Sequence, residues 1–226
     1  MRGRANILVS GGTSSGKTSL LNVLAGFIPP AERVITMEDT PELRLPLSHV
    51  IRLRTRRANI EGRGEFTMRQ LVRASLRMRP DRIVVGEVRG AEALDMIEAL
   101  NTGHDGGLAT AHANGPADML KRLSQMMKRG DGTLTDSGAY ELIASAIHLI
   151  VHAERRVVGD RVVRGVEEVV ELEDYQSDRP GVLGFKLRTI FRRASPGGPL
   201  ERVGGISERL AAHLQANGVD VARWRG

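Results

Sequence analysis

The stretch Gly11-Gly12-Thr13-Ser14-Ser15-Gly16-Lys17-Thr18 has the spacing G-x-x-x-x-G-K-[ST] of a phosphate-binding loop. Such a loop turns consecutive backbone N–H groups toward phosphate oxygens, and the helix that follows adds partial positive charge at its N-terminus. Glycine suits the loop because a side chain would hold the backbone away from the phosphates. Lys17 is expected to reach the β- and γ-phosphates of ATP and Thr18 to offer its hydroxyl to Mg²⁺, with Ser19 counted among the nucleotide-binding positions.

A triphosphate site also needs carboxylates for the metal and for the attacking water. Ile83-Val84-Val85-Gly86-Glu87 is an apolar strand ending in an acid, so Glu87 is expected to hold Mg²⁺ through water. Met37-Glu38-Asp39-Thr40-Pro41-Glu42 follows another apolar run, which makes Asp39 a second metal candidate and Glu38 the residue that orients or deprotonates water. His104 and His112 bracket a short apolar segment, and His112 follows a strand, where a polar group can sense the γ-phosphate. Taken singly, each histidine reads as structural more readily than as functional. Ten arginines lie from Arg52 to Arg82, and Arg73 and Arg77 share a helix face. An arginine reaching a neighbouring subunit's nucleotide stabilises charge in the transition state, and a solvated surface arginine is the plain alternative.

These groups come together only if strands deliver them to one edge. Apolar runs at residues 6–10, 33–37, 49–53, 82–85 and 108–111 read as strands. Residues 17–25, 67–78, 91–100, 116–127 and 136–147 read as helices, with Thr67 as an N-cap and Pro80 as a stop. Strands alternating with helices imply an α/β fold whose largely parallel sheet is covered on both faces. In such sheets sites gather at the carboxyl ends of strands, which places Glu38, Asp39 and Glu87 beside the loop. Beyond residue 155 the pattern changes to strands at 157–158, 161–172 and 185–192, with Gly159-Asp160 as a hairpin turn, and a helix at 206–215. The expected division is residues 1–155 and an extension over 156–226.

Composition bounds the rest. The chain has 226 residues, 41% of them hydrophobic, and no cysteine, which excludes disulfides and thiolate metal sites and fits a reducing compartment. No apolar run is long enough to span a bilayer and no signal peptide is apparent, so a cytosolic location is expected. The net charge of +6 comes from 29 arginines and four lysines, which suits an anionic partner or reflects a bias toward arginine. Aromatics at 3% offer few stacking platforms for single-stranded nucleic acid.

The order of four blocks carries a resemblance: the loop at 11–18, ITMEDTPEL at 35–43, NIEGRGEFTMRQLVRASLRMRPDRIVVGEVRG at 59–90 and NTGHDGGLATAHAN at 101–114. Together they resemble the bacterial type II and type IV secretion and pilus-assembly ATPases, most of all the CpaF-type branch serving tight-adherence (Flp) pili. The resemblance covers residues 5 to about 172. It implies a RecA-like P-loop core, a catalytic Glu38, a Walker B Glu87, Arg-box residues Arg73 and Arg77, and His-box residues His104 and His112. It also implies a homo-hexameric ring at the cytoplasmic face of the inner membrane, working on a polytopic membrane platform protein and not on nucleic acid. Thr13-Ser14-Ser15 and Arg56-Arg57-Ala58-Asn59 depart from the usual family pattern. The chain reads as the C-terminal catalytic domain without the family's N-terminal domain. That reading predicts weak ATP binding, slow hydrolysis and no stable hexamer by itself. A RecA-like nucleic-acid motor and a non-catalytic, nucleotide-gated assembly element are the alternative readings.

Overall fold

A computed structural model describes residues 1–179 and 182–225, with side chains outside 177–183. In chain order the elements are β1 (Ile7–Gly11), α1 (Lys17–Ala25), β2 (Val34–Glu38), β3 (Val50–Arg54), α2 (Met68–Leu76), β4 (Arg82–Val85) and α3 (Glu92–Asn101). Then come β5 (Leu108–His112), α4 (Pro116–Gly130), α5 (Asp136–Ala146), β6 (Leu149–Val158), β7 (Arg161–Arg179), β8 (Val182–Arg193), β9 (Leu200–Arg202) and α6 (Glu208–Ala216).

One sheet runs in the order β3-β2-β4-β5-β1-β6-β7-β8-β9. Strands from β3 to β6 pair in parallel, and β6 to β9 pair antiparallel. The short apolar strands are buried on both faces, and their alternation divides the core in two. Leu8, Ile83, Val85 and Met37 join the core under α2 to α5, while Ile7, Val9, Val84 and Val34 join the core beneath α1. Helix α2 starts on a capping box: Gln70 N–H donates to Thr67 Oγ1 at 3.3 Å, and Thr67 N–H donates to Gln70 Oε1 at 2.8 Å.

The sequence gives no warning of the first half of β6. No period assigns residues 149–156, yet β6 begins at Leu149, pairs with β1 from Ile7↔Leu149 to Gly11↔Ala153, and continues into the hairpin with β7. The division at residue 155 falls inside this strand. The turn at Gly159 and Asp160 joins β6 to β7, and β9 is an additional edge strand.

The strands' opposite ends are locked by two buried polar groups. Arg82, fully buried, donates from Nε and Nη2 to the two carboxylate oxygens of Glu32 at 2.6 and 3.0 Å, and from Nη1 to the Gly106 carbonyl at 2.9 Å. Asn6 accepts the Gly106 and Gly107 amides at 2.7 and 2.9 Å, and its own backbone N–H donates to His148 Nδ1 at 3.0 Å. The His148 ring lies 4.1 Å from that of His213 on α6.

Burial, reinforced by the neighbouring His213 and Arg209, pushes the His148 pKa from its ordinary 6.5 to about 3. The native ring therefore refuses a proton that the unfolded chain takes up below pH 6.5. Its contribution to stability is full above pH 6.5 and is lost as pH falls toward 3. The urea midpoint is expected to decline between pH 6.5 and 5, and His148→Gln to flatten that decline. An unchanged slope in the variant would show that this ring does not control it.

Candidate functional site

Parallel registry sets the site. Met37 lies opposite Val85, Val85 opposite Ala109, and Gly11 opposite His112, so the ends of β2, β4, β5 and β1 fall on one edge. Gly11 to Thr18 turn from β1 into α1 at this edge. The turn needs Gly16, which caps α1 in the left-handed region at φ 95°. A cavity of about 420 Å³ lies over the loop, lined by residues 13–19 with Glu87, Arg89, Thr110 and His112. Beside it a smaller cavity of about 100 Å³ is lined by Thr18, Glu38, Asp39, Glu42, Glu87 and Arg89, among others.

Lys17 is buried at the start of α1. Its Nζ donates to the Gly11 and Gly12 carbonyls at 3.0 and 2.9 Å and lies 3.5 Å from His112 Nδ1. Burial pulls the ammonium below the usual lysine range, against the pull of Glu87. Glu38, only 3% exposed, ends β2. Its Oε1 accepts the backbone N–H groups of Glu42 and Leu43, both at 2.8 Å, so the turn after β2 fixes the carboxylate. Gly86 leaves the room for it: a Cβ there would sit 2.9 Å from Glu38 Cγ.

Glu87 follows β4. His112 Nε2 lies 2.9 Å from its Oε1, without the alignment of a hydrogen bond, and Arg89 pairs with Oε2. Burial, with Lys17 next, holds the His112 ring below the usual histidine range. Thr110 keeps the Glu87 segment on β5: its hydroxyl donates to the Gly86 carbonyl at 2.6 Å, and its carbonyl accepts from Val88 N–H at 2.8 Å. Asp39 accepts from the Thr55 hydroxyl at 2.9 Å and lies 3.8 Å from Arg89 Nη1.

The structure thus brings Lys17, Thr18, Glu38, Asp39, Glu87 and His112 together. It does not bring Arg73, Arg77 or His104 to them within one chain. Arg73 shares Asp95 with Arg69, at 2.5 and 2.6 Å, and Arg77 is the exposed C-cap of α2, leading toward the start of β4. His104 precedes β5, at the strand end opposite His112, with Nδ1 3.2 Å from the Ala99 carbonyl.

Three residues absent from the sequence expectations belong to the site. Thr110 is one. Arg89 lines both cavities, and its backbone is fixed because Glu92 Oε1 accepts the Arg89 and Gly90 amides at 2.7 and 2.8 Å. The third is Arg164 of β7, whose Nε donates to the Ser14 carbonyl at 2.9 Å and braces the loop tip.

The donor set suits Mg²⁺ in the presence of phosphates. Two hydroxyls, of Thr18 and Thr40, and four carboxylates, of Glu38, Asp39, Glu42 and Glu87, line the small cavity, all hard oxygen donors. Among the described residues no cluster of three acidic, His or Cys side chains forms a metal cage by itself. Magnesium is commonly held in this way, by one or two carboxylates together with substrate phosphates.

Comparison with known proteins shows what the chain as a whole resembles. A putative conjugal transfer protein of Mycobacterium tuberculosis is 48% identical over 158 residues, covering 70% of this chain and 44% of its own length. The conjugal transfer protein TrbB of Rhizobium radiobacter is 38% identical over 178 residues, covering 77% of this chain and 50% of that protein. The VirB11 ATPase of the Brucella suis type IV secretion system superposes with a TM-score of 0.65 at 33% identity, over 74% of this chain and 48% of that one. The chain therefore spans about half the length of the relatives it matches. The pattern of the family described as Type II/IV secretion system protein matches residues 1–171, and the chain belongs to that family.

Proposed function

We propose that this chain is the ATP-hydrolysing part of a secretion or pilus motor. The observation that carries the reading is the meeting of Lys17, Glu38, Glu87 and His112 at the strand edge that holds the phosphate loop. The amides of residues 11–18 cradle the phosphates, and Lys17 leaves the Gly11 and Gly12 carbonyls to reach them. Thr18, Glu87 and Asp39 would hold Mg²⁺, which neutralises phosphate charge when bound. Glu38, pinned through one oxygen, keeps the other to orient water. His112 lies between Lys17 and Glu87 and reads whether the γ-phosphate is present.

Arg89 sits where it competes with the metal, because its guanidinium faces both Glu87 and Asp39. Its side chain is well exposed, so the pairs together are worth at most about 1 kcal/mol. Arg89→Ala is expected to lower the Mg²⁺ concentration that half-saturates binding of a fluorescent ATP analogue, by roughly two- to fivefold. A higher Mg²⁺ requirement in the variant would instead assign Arg89 to the nucleotide.

We further propose that the motor works as a hexameric ring at the cytoplasmic face of the membrane, on a polytopic platform protein. Arg73, Arg77 and His104 would then act across a subunit boundary, since they stand apart from the loop of their own chain. The four motif blocks in order, at 11–18, 35–43, 59–90 and 101–114, support a CpaF-type role in tight-adherence pili, and neighbouring pilin and platform genes would test it. The relatives named for conjugal transfer favour a second reading, a DNA-transfer ATPase. Phosphate release measured with and without duplex DNA separates the two. The motor reading expects turnover indifferent to DNA, whereas the second expects strong stimulation that fades steeply with salt.

A further inference from the structure

Strand β3 is one edge of the sheet. Val34 N–H donates to the His49 carbonyl at 3.0 Å, and Thr55 N–H donates to the Glu38 carbonyl at 3.1 Å, so residues 49 and 55 bond inward to β2. Backbone groups alternate sides along a strand, and Val50, Arg52 and Arg54 therefore turn their N–H and C=O outward. At the next such position, Arg56 and Phe66 exchange both bonds at 2.9 and 2.8 Å in an antiparallel bridge. The edge thus already accepts a strand-like partner at its far end. Among the described residues, nothing pairs with the three positions before it.

The side chains give this edge a sign. Arg52 and Arg54 are exposed on one face, while Leu53 turns to the other and packs against the core. Neither arginine has a carboxylate partner among the described residues, and the same holds for Arg57. Beyond the strand end, a groove of about 640 Å³ continues the arginine row through Arg54 and Arg57 toward Asp39 and Arg89 at the rim of the nucleotide site. Glu65 also lines it, and Arg56 is already occupied by the Gly64 carbonyl and the Phe66 ring.

We propose that the β3 edge docks an extended, carboxylate-rich segment of a partner protein. The segment adds as a further strand, its acids at alternate positions opposite Arg52 and Arg54, and then runs into the groove at Arg57. Two features select this occupant. The free edge offers alternating donors and acceptors, which a polypeptide strand matches; the phosphate groups of a nucleic-acid backbone or of a lipid supply acceptors alone. Pairing with β3 of a second copy would set arginine against arginine, and like charges opposite each other destabilise a strand pair. The arginine spacing, two residues or about 6.6–6.8 Å, is also the same-face repeat of an incoming strand.

The test uses the full chain and a short fluorescent peptide in which glutamate alternates with valine, read by anisotropy. Saturable binding that weakens with salt is expected, reduced about tenfold or more in the Arg52→Glu/Arg54→Glu variant. The milder Arg52→Gln/Arg54→Gln pair, checked for an unchanged melting temperature, should show the same trend. An isomeric peptide with its glutamates in one block, and a peptide N-methylated along one edge, should bind several-fold more weakly. Equal binding of either control, equal binding by the charge-altered chains, or no binding at all overturns the proposal. So does tighter binding of duplex DNA or anionic lipid vesicles through the same two arginines. None of these readouts requires nucleotide, so the proposal stands or falls apart from the ATPase reading.

Discussion

Glu38→Gln is expected to lower ATP turnover by about 10²- to 10⁴-fold, the usual contribution of a positioned general base. Nucleotide affinity should barely change. Glutamine keeps a carbonyl oxygen to accept the Glu42 and Leu43 amides, so the turn after β2 keeps its anchor. What it loses is the negative charge on the second oxygen, the one left for water. Single-turnover phosphate release set beside binding of a fluorescent ATP analogue separates the two effects. Turnover equal to that of the unaltered chain would remove Glu38 from the chemistry and favour a nucleotide-gated assembly element. Loss of binding along with turnover would mean that Glu38 shapes the pocket through Gly86, which it packs against.

Glu38 and Glu87 could be found in the sequence because each acid follows a short apolar strand, and parallel strands present their carboxyl ends together. The same logic favours His112, which follows a strand, over His104, which precedes it, although the family resemblance implies both. The direction of β5 decides it: His112 lies at the end shared with the loop, and His104 at the other. The first half of β6 is not legible because it is buried beside β1, while the second half, whose end at 157–158 reads as a strand, lies in an exposed hairpin, so no single period runs through the whole. A buried histidine within the apolar part, His152 bonded to the Ser10 hydroxyl at 2.8 Å, blurs the pattern further. Arg89 and Arg164 were hidden for a different reason. One folds back over two residues to Glu87, and the other reaches the loop from a strand about 150 residues away. Neither contact leaves a spacing to read.

Removing the amine of Lys17 should have the second large effect. Lys17→Ala is expected to cut turnover by about 10²- to 10³-fold, the usual cost of deleting one preorganised donor at developing charge. It should also weaken ATP binding by about tenfold or more, as expected for loss of a hydrogen bond between charged groups. The amine also ties the Gly11 and Gly12 carbonyls together inside the loop. Two causes of lost binding must therefore be told apart. If Lys17 acts on the phosphates, ATP affinity falls further than ADP affinity, because the lost partner includes the γ-phosphate. If it acts only by holding the loop, both nucleotides weaken equally and the melting temperature drops. His112 supplies an independent reading. Its ring lies 3.5 Å from the ammonium, whose charge helps hold its pKa down, so Lys17→Ala should raise the pH at which His112 titrates. An NMR titration of that ring with no nucleotide present reports the electrostatic contact directly, and an unmoved ring would place the lysine elsewhere in solution.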